Sequence, residues 1–123
     1  VEAGGADAVS LINTLTGMKV DIQRKAFVLA NKTGGVSGPA IHPIAVRMVY
    51  EAANAVNVPI IGMGGIATAE DAIEMLLVGA SAVSVGTANF YNPAVTMEIV
   101  DGIEQYMEAQ GFASVADMVG IVK

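Results

Sequence analysis

The sequence predicts an α/β chain built on a parallel sheet, and three observations predict it. Three apolar runs of strand length, residues 8–12, 58–62 and 82–85, lack strict alternation, as strands covered on both faces do. Between and after them, apolar residues recur at helical spacing. One junction also occurs twice: Gly5-Ala6-Asp7-Ala8-Val9-Ser10 returns as Gly79-Ala80-Ser81-Ala82-Val83-Ser84. In both copies glycine ends a helix and a strand begins. Reuse of one helix-to-strand junction is the habit of a (β/α) barrel.

The elements follow in order. Residues 1–5 read as the tail of a helix running into its glycine stop, as though the chain were a piece of a longer one; a processed start is the alternative. The first strand, 8–12, ends in the polar pair Asn13-Thr14. Residues 18–22 and 26–29, separated by Gln23-Arg24-Lys25, read as a β-hairpin, and 31–39 as a glycine-rich loop. Over 44–56 the residues Ile44, Ala45, Met48, Val49, Ala52 and Val56 share one helical face, with Pro43 at a first-turn position. The second strand leads into Gly62-Met63-Gly64-Gly65-Ile66. Thr68 and Asp71 then have the spacing of a capping box, opening a helix that stops at Gly79. The third strand leads into Gly86-Thr87-Ala88-Asn89. A last helix covers 94–109, with Val95, Ile99, Ile103, Tyr106 and Met107 on one face. Its stripe of Glu98, Asp101, Glu104 and Glu108 reads as a solvated face rather than a metal site.

The first two strands start about 50 residues apart and the next two about 24. A barrel unit averages roughly 30, so the first unit carries an insertion, assigned to residues 17–38 within a partial barrel domain of residues 1–123. Insertions after a barrel strand fall on the face where active sites form. Three βα units do not close an eight-stranded barrel. The chain is either an open α/β sheet or the last part of a barrel.

Composition excludes several functions. The chain has 123 residues, 54% hydrophobic and 15% charged, which fits one folded domain and not a disordered one. Twelve acids against six bases give a net charge of -6, which disfavours nucleic acid. No apolar run reaches about 18 residues, so no membrane-spanning helix is expected. With no cysteine, this chain has no disulfide, thiolate catalyst or cysteine-held metal. No metal site and no nucleophile–base pair is expected.

The two glycine loops point to phosphate. Without a Cβ, backbone N–H groups close on an anion, and the loops after the last two strands of many barrels build a phosphate site. A tight turn is the competing reading of each. The pattern is not the dinucleotide fingerprint, which needs a further glycine. Asn13 and Thr14 offer polar groups at a strand end, or simply a turn. His42, the single histidine, reads as a capping or surface residue. The seven methionines read as packing.

Taken together, Ile12-Asn13-Thr14, Gly34-Gly35-Val36-Ser37-Gly38-Pro39-Ala40, Ile61-Gly62-Met63-Gly64-Gly65 and Val85-Gly86-Thr87-Ala88-Asn89-Phe90 resemble the C-terminal part of dihydroorotate dehydrogenase, nearest to the catalytic subunit of the NAD-linked class 1B type. The likeness runs over nearly the whole chain, with the motifs in the same order and spacing. It implies an FMN-binding (β/α)8 TIM barrel, of which this chain is about strands six to eight with their helices, the hairpin lying over the active site. It implies that Ile12 and Gly38 lie against the flavin, and that Gly64, Gly65, Gly86 and Thr87 serve the FMN phosphate. Asn13 and Thr14 are implied to bind the pyrimidine, dihydroorotate or orotate.

The implied reaction is oxidation of dihydroorotate to orotate in pyrimidine synthesis. The family's base is a cysteine on an earlier loop, and its flavin-neighbouring lysine lies on the fifth strand. Both precede Val1, so the chain by itself is expected to hold no catalytic residue and to be inactive. The resemblance implies a homodimer of the full subunit, a second subunit carrying FAD and an iron–sulfur cluster, and a cytoplasmic location. Two alternatives stand: a non-catalytic half-barrel that binds a phosphate ligand, and a flavoenzyme related to dihydropyrimidine dehydrogenase acting on uracil-like rings. Isolated, the chain is expected to be marginal or associated, because Ile12, Ile61 and Val85 lose partners with the rest of the barrel.

Overall fold

The computed structural model describes residues 1–122. A three-residue 3-10 turn, Glu2–Gly4, comes first, closed by Gly5 in the left-handed conformation (φ 89°). Strand β1 (Val9–Leu11) follows. The chain then leaves the sheet as a ribbon. Within it β2 (Leu15–Met18) pairs antiparallel with β5 (Thr33–Val36), and β3 (Val20–Asp21) with β4 (Ala26–Phe27).

The ribbon departs from the sequence expectation: the hairpin strands shorten to Val20–Asp21 and Ala26–Phe27, and β2 begins at Leu15, where no strand is expected. The stretch expected as a glycine-rich loop contains β5. Gly34 and Gly35 sit opposite Gly17 and Thr16, so small residues let the two strands lie flat against one another. Glycine ordinarily interrupts a strand, and here cross-strand pairing overrides that tendency.

A 3-10 turn (Pro39–Ile41) then feeds helix α1 (His42–Ala53), which starts two residues earlier and ends three earlier than the apolar periodicity suggests. Strand β6 (Ile60–Met63) leads into α2 (Ala69–Leu77), and β7 (Ala82–Ser84) into the short α3 (Ala88–Tyr91) and the long α4 (Val95–Gln110). The capping box at α2 is formed. Thr68 Oγ1 accepts from the Asp71 amide at 3.3 Å, and Asp71 Oδ2 accepts from the Thr68 amide at 2.9 Å.

β1, β6 and β7 form one parallel sheet in that order, with Val9 beside Ile60 and Ile61 beside Ala82. Strands adjacent in the sheet are joined through helices, as in consecutive units of a barrel wall. The two outer strands, β1 and β7, each keep one unpaired edge. The core lies between sheet and helices: Val49 from α1, Ile60 from β6, Met75 from α2 and Ile99 from α4 pack together. Ile12 is also buried there, at 7% exposure, so it finds its partners within this chain, contrary to expectation. Ile61 and Val85 remain half-buried.

Beyond α4 the chain turns at Gly111 (φ 78°) and returns over α2. A 3-10 turn, Val115–Met118, buries Met118 completely against Ile73 and Leu76. The amides of Gly120 and Val122 then donate to the carbonyls of Leu76 and Leu77 at 3.0 and 3.1 Å. The Leu76 carbonyl also accepts from the Gly79 amide at 3.0 Å, whereas the Leu77 carbonyl at the end of α2 is satisfied by the tail.

Candidate functional site

The three parallel strands point their C-terminal ends at one cavity of about 410 Å3. β1 contributes Ile12, Asn13 and Thr14. β6 contributes the turn from Met63 to Ala67, and β7 contributes Ser84, Gly86 and Thr87. The end of the ribbon adds Val36 through Pro39. All eight residues singled out in the sequence, Ile12, Asn13, Thr14, Gly38, Gly64, Gly65, Gly86 and Thr87, line this cavity. Its size lies in the usual range for small-molecule sites.

The four glycines are not equivalent. Gly64 (φ 132°) and Gly65 (φ 71°) form a turn packed on the protein. A Cβ on Gly64 would lie 2.7 Å from Ala45 Cβ, and one on Gly65 would lie 2.7 Å from the Gly38 carbonyl oxygen. The fold itself requires glycine at both. Around Gly86, and around Gly38 (φ 99°), nothing lies within 4 Å of a Cβ position. At Gly86, where φ is not positive, the absence of a side chain therefore opens space rather than relieving a clash.

Polar groups converge on that space. Among the described residues, the amides of Gly65, Gly86 and Thr87 donate to no backbone carbonyl. Thr87 precedes α3 without capping it, which leaves its hydroxyl free of that role. Asn13 Oδ1 accepts from the Thr14 amide at 2.7 Å, so the Asn13 side chain has its Nδ2 donor left to offer. Among the described residues, no Asp, Glu, Lys, Arg or His side chain lines the cavity. An anion bound here would be held by neutral donors.

Two residues outside the expected set hold the glycine turns. His42 is buried, 5% exposed, and so is not a surface residue; its backbone closes the Pro39–Ile41 turn, while the N-cap of α1 is Ile41. His42 Nδ1 lies 2.9 Å from the Gly64 carbonyl oxygen and its Nε2 3.1 Å from Glu74 Oε2. Asn89 Nδ2 donates to the carbonyls of Val85 and Gly86 at 2.9 and 3.0 Å. Neither was signalled by periodicity, because both bonds depend on how a helix start lies against a loop. The motif Gly86-Thr87-Ala88-Asn89 did carry the second.

Residues 1–107 match the family model for dihydroorotate dehydrogenase. The chain belongs to the dihydroorotate dehydrogenase family. It is 63% identical over 122 residues to the dihydroorotate dehydrogenase B (NAD(+)) catalytic subunit of Lachnoclostridium phytofermentans, covering 99% of this chain and 41% of that protein. It is 61% identical over 118 residues to the same subunit of Alkaliphilus oremlandii, covering 96% of this chain and 39% of that one. The chain thus spans about two-fifths of the length of the curated relatives it matches. The crystal structure of DHODH from Eimeria tenella in complex with ferulenol superposes with a TM-score of 0.79 at 28% identity, over 98% of this chain and 32% of that one.

The resemblance read from four motifs therefore holds, and so does the fold: a dihydroorotate dehydrogenase barrel, in part. Among the described residues, no helix is long and apolar enough to cross a membrane.

Proposed function

We propose that this chain forms the cofactor-phosphate and substrate side of an NAD-linked dihydroorotate dehydrogenase. The whole subunit oxidises dihydroorotate to orotate in pyrimidine synthesis and works in the cytoplasm. One observation carries this reading: the eight residues of the family motifs, far apart in sequence, line a single cavity at the ends of three parallel strands.

The residues present fit FMN. The open space at Gly38 and Gly86 is a cradle that a Cβ would occupy. The amides of Gly65, Gly86 and Thr87, with the Thr87 hydroxyl, offer neutral donors to a phosphate. When bound, FMN supplies the two-electron oxidant. The chain does the rest of its work by holding and placing. Ile12 and Met63 give the cavity apolar wall that keeps water out. Asn13 Nδ2 and the Thr14 hydroxyl orient the pyrimidine ring. Among the described residues the cavity wall carries no carboxylate, lysine or histidine, and in this reading the group that takes the C5 proton comes from the rest of the subunit. In this reading residues 17–38 are an insertion over the site, and residues 1–123 are one partial barrel domain. The full subunit pairs with itself and with an electron-transfer subunit carrying FAD and an iron–sulfur cluster.

The test is a rebuilt subunit. The segment of the L. phytofermentans catalytic subunit matching this chain is replaced by it, a swap at 63% identity. The expected product is a yellow protein with one FMN per chain that oxidises dihydroorotate. A folded protein that binds no flavin would overturn the proposal. Oxidation of dihydrouracil in preference to dihydroorotate would move it to the dihydropyrimidine-oxidising alternative.

A further inference from the structure

We infer that His42 is a positioning residue that presets the Gly65 amide toward the bound phosphate, by gripping the carbonyl on the other side of the same peptide. The inference rests on the FMN reading above and says which side chain shapes that site.

The peptide unit joining Gly64 and Gly65 is trans, so its C=O and N–H point in opposite directions. The Gly64 oxygen is held at 2.9 Å by His42 Nδ1. The Gly65 N–H therefore points away from His42. His42 does not line the cavity, whereas Gly64 and Gly65 do. Among the described residues that N–H has no backbone acceptor. A peptide flanked by two glycines is free to rotate, and an amide that must be turned toward its anion on binding loses entropy in doing so. Gripping the carbonyl beforehand removes that cost.

The Gly64 oxygen only accepts, so the grip needs the proton on Nδ1, and Nε2 donates to Glu74 as well only when both ring nitrogens carry a proton. His42 Nε2 lies 3.1 Å from Glu74 Oε2 and 3.8 Å from Asp71 Oδ1, both on α2. These are the charged groups that face the ring. From the β6 turn, the polar group at hydrogen-bond distance of the ring is the Gly64 carbonyl. Asp71 Oδ2 meanwhile accepts from the amides of Ala67 and Thr68, each at 2.9 Å. The turn from Gly64 to Thr68 is thus tied at both ends to α1 and α2. At the neighbouring loop the Gly86 carbonyl is gripped by Asn89, whose Nδ2 donates to it at 3.0 Å beside the Asn89 backbone amide at 3.1 Å. Opposite that carbonyl stands the Thr87 N–H, across another trans peptide. Both glycine loops use one device, a side-chain donor behind the peptide whose amide faces the ligand.

The test measures FMN affinity by flavin fluorescence in the rebuilt full-length subunit, comparing His42→Leu with His42→Asn. An asparagine amide nitrogen reaches the position of Nδ1, while leucine fills the space and donates nothing. His42→Leu is expected to weaken FMN binding about tenfold or more. His42→Asn is expected to restore it to within about threefold, with KM for dihydroorotate unchanged in the flavin-saturated protein. Equal weakening by both variants would mean that the ring only packs, and would overturn the inference. So would wild-type affinity in His42→Leu. Failure of the unmodified subunit to bind FMN would instead overturn the FMN reading. If His42→Leu does not fold, His42→Asn against His42→Gln, whose donor reaches only toward Glu74, decides the same question: equal affinity in that pair would overturn the inference.

Discussion

Gly65 lies directly against His42: a Cβ on Gly65 would sit 2.8 Å from His42 Cβ and 2.8 Å from its backbone nitrogen. No rearrangement of a side-chain tip relieves such a contact. Gly65→Ala is therefore expected to lower unfolding stability by about 2–4 kcal/mol, combining overpacking with φ 71°. Gly86→Ala is expected to stay within about 0.5 kcal/mol, since nothing lies within 4 Å. Urea denaturation of the two variants checks the contrast. Equal losses would mean that the loops are not built differently.

Asn13 offers a second test. Its Oδ1 is engaged by the Thr14 amide at 2.7 Å, and Asn13→Asp keeps that acceptor while removing the Nδ2 donor. In the rebuilt subunit the change is expected to raise KM for dihydroorotate about tenfold, with stability unchanged within about 0.5 kcal/mol. An unaltered KM would remove Asn13 from the substrate site.

Much of this was legible in the sequence. The strand runs and the Thr68–Asp71 capping box are local signals, and the structure places each within about two residues of its expected position. The cavity residues were legible because strand ends and glycine turns mark the ligand face of a barrel. Other features depend on contacts distant in sequence. β5 was hidden because glycine is a poor strand former unless small residues lie opposite, as Gly17 does opposite Gly34. The burial of His42 needed the meeting of α1, α2 and the β6 turn. The tail beyond Gly111 is apolar but short and interrupted at Gly120, so it shows no helical period, and its packing on α2 orders it.

That tail gives a third prediction. Met118 is fully buried among Ile73 and Leu76. Met118→Ala is expected to cost about 2–5 kcal/mol, read from chemical denaturation. A loss below about 0.5 kcal/mol would show that the tail is not part of the folded unit.

Isolated from the rest of a barrel, the chain exposes Phe90 (89%) and Tyr91 (86%) along with Met97 and Val100. It also leaves the outer edges of β1 and β7 unpaired. Exposed apolar area and open edges drive association. Light scattering is expected to show concentration-dependent self-association of the isolated chain, reduced by replacing Phe90 and Tyr91 with serine. A monodisperse, cooperatively melting monomer would contradict this.

If Gly86 is glycine because a ligand occupies the space beside it, filling that space must cost affinity. The most direct measurement is an FMN titration of the rebuilt subunit with Gly86→Val as the comparison. Gly65→Val would be a poor comparison, because it collides with the protein's own backbone. The account predicts saturable binding, one FMN per chain, weakened at least tenfold by the valine while the melting temperature is held. Equal FMN affinity in wild type and Gly86→Val would contradict it.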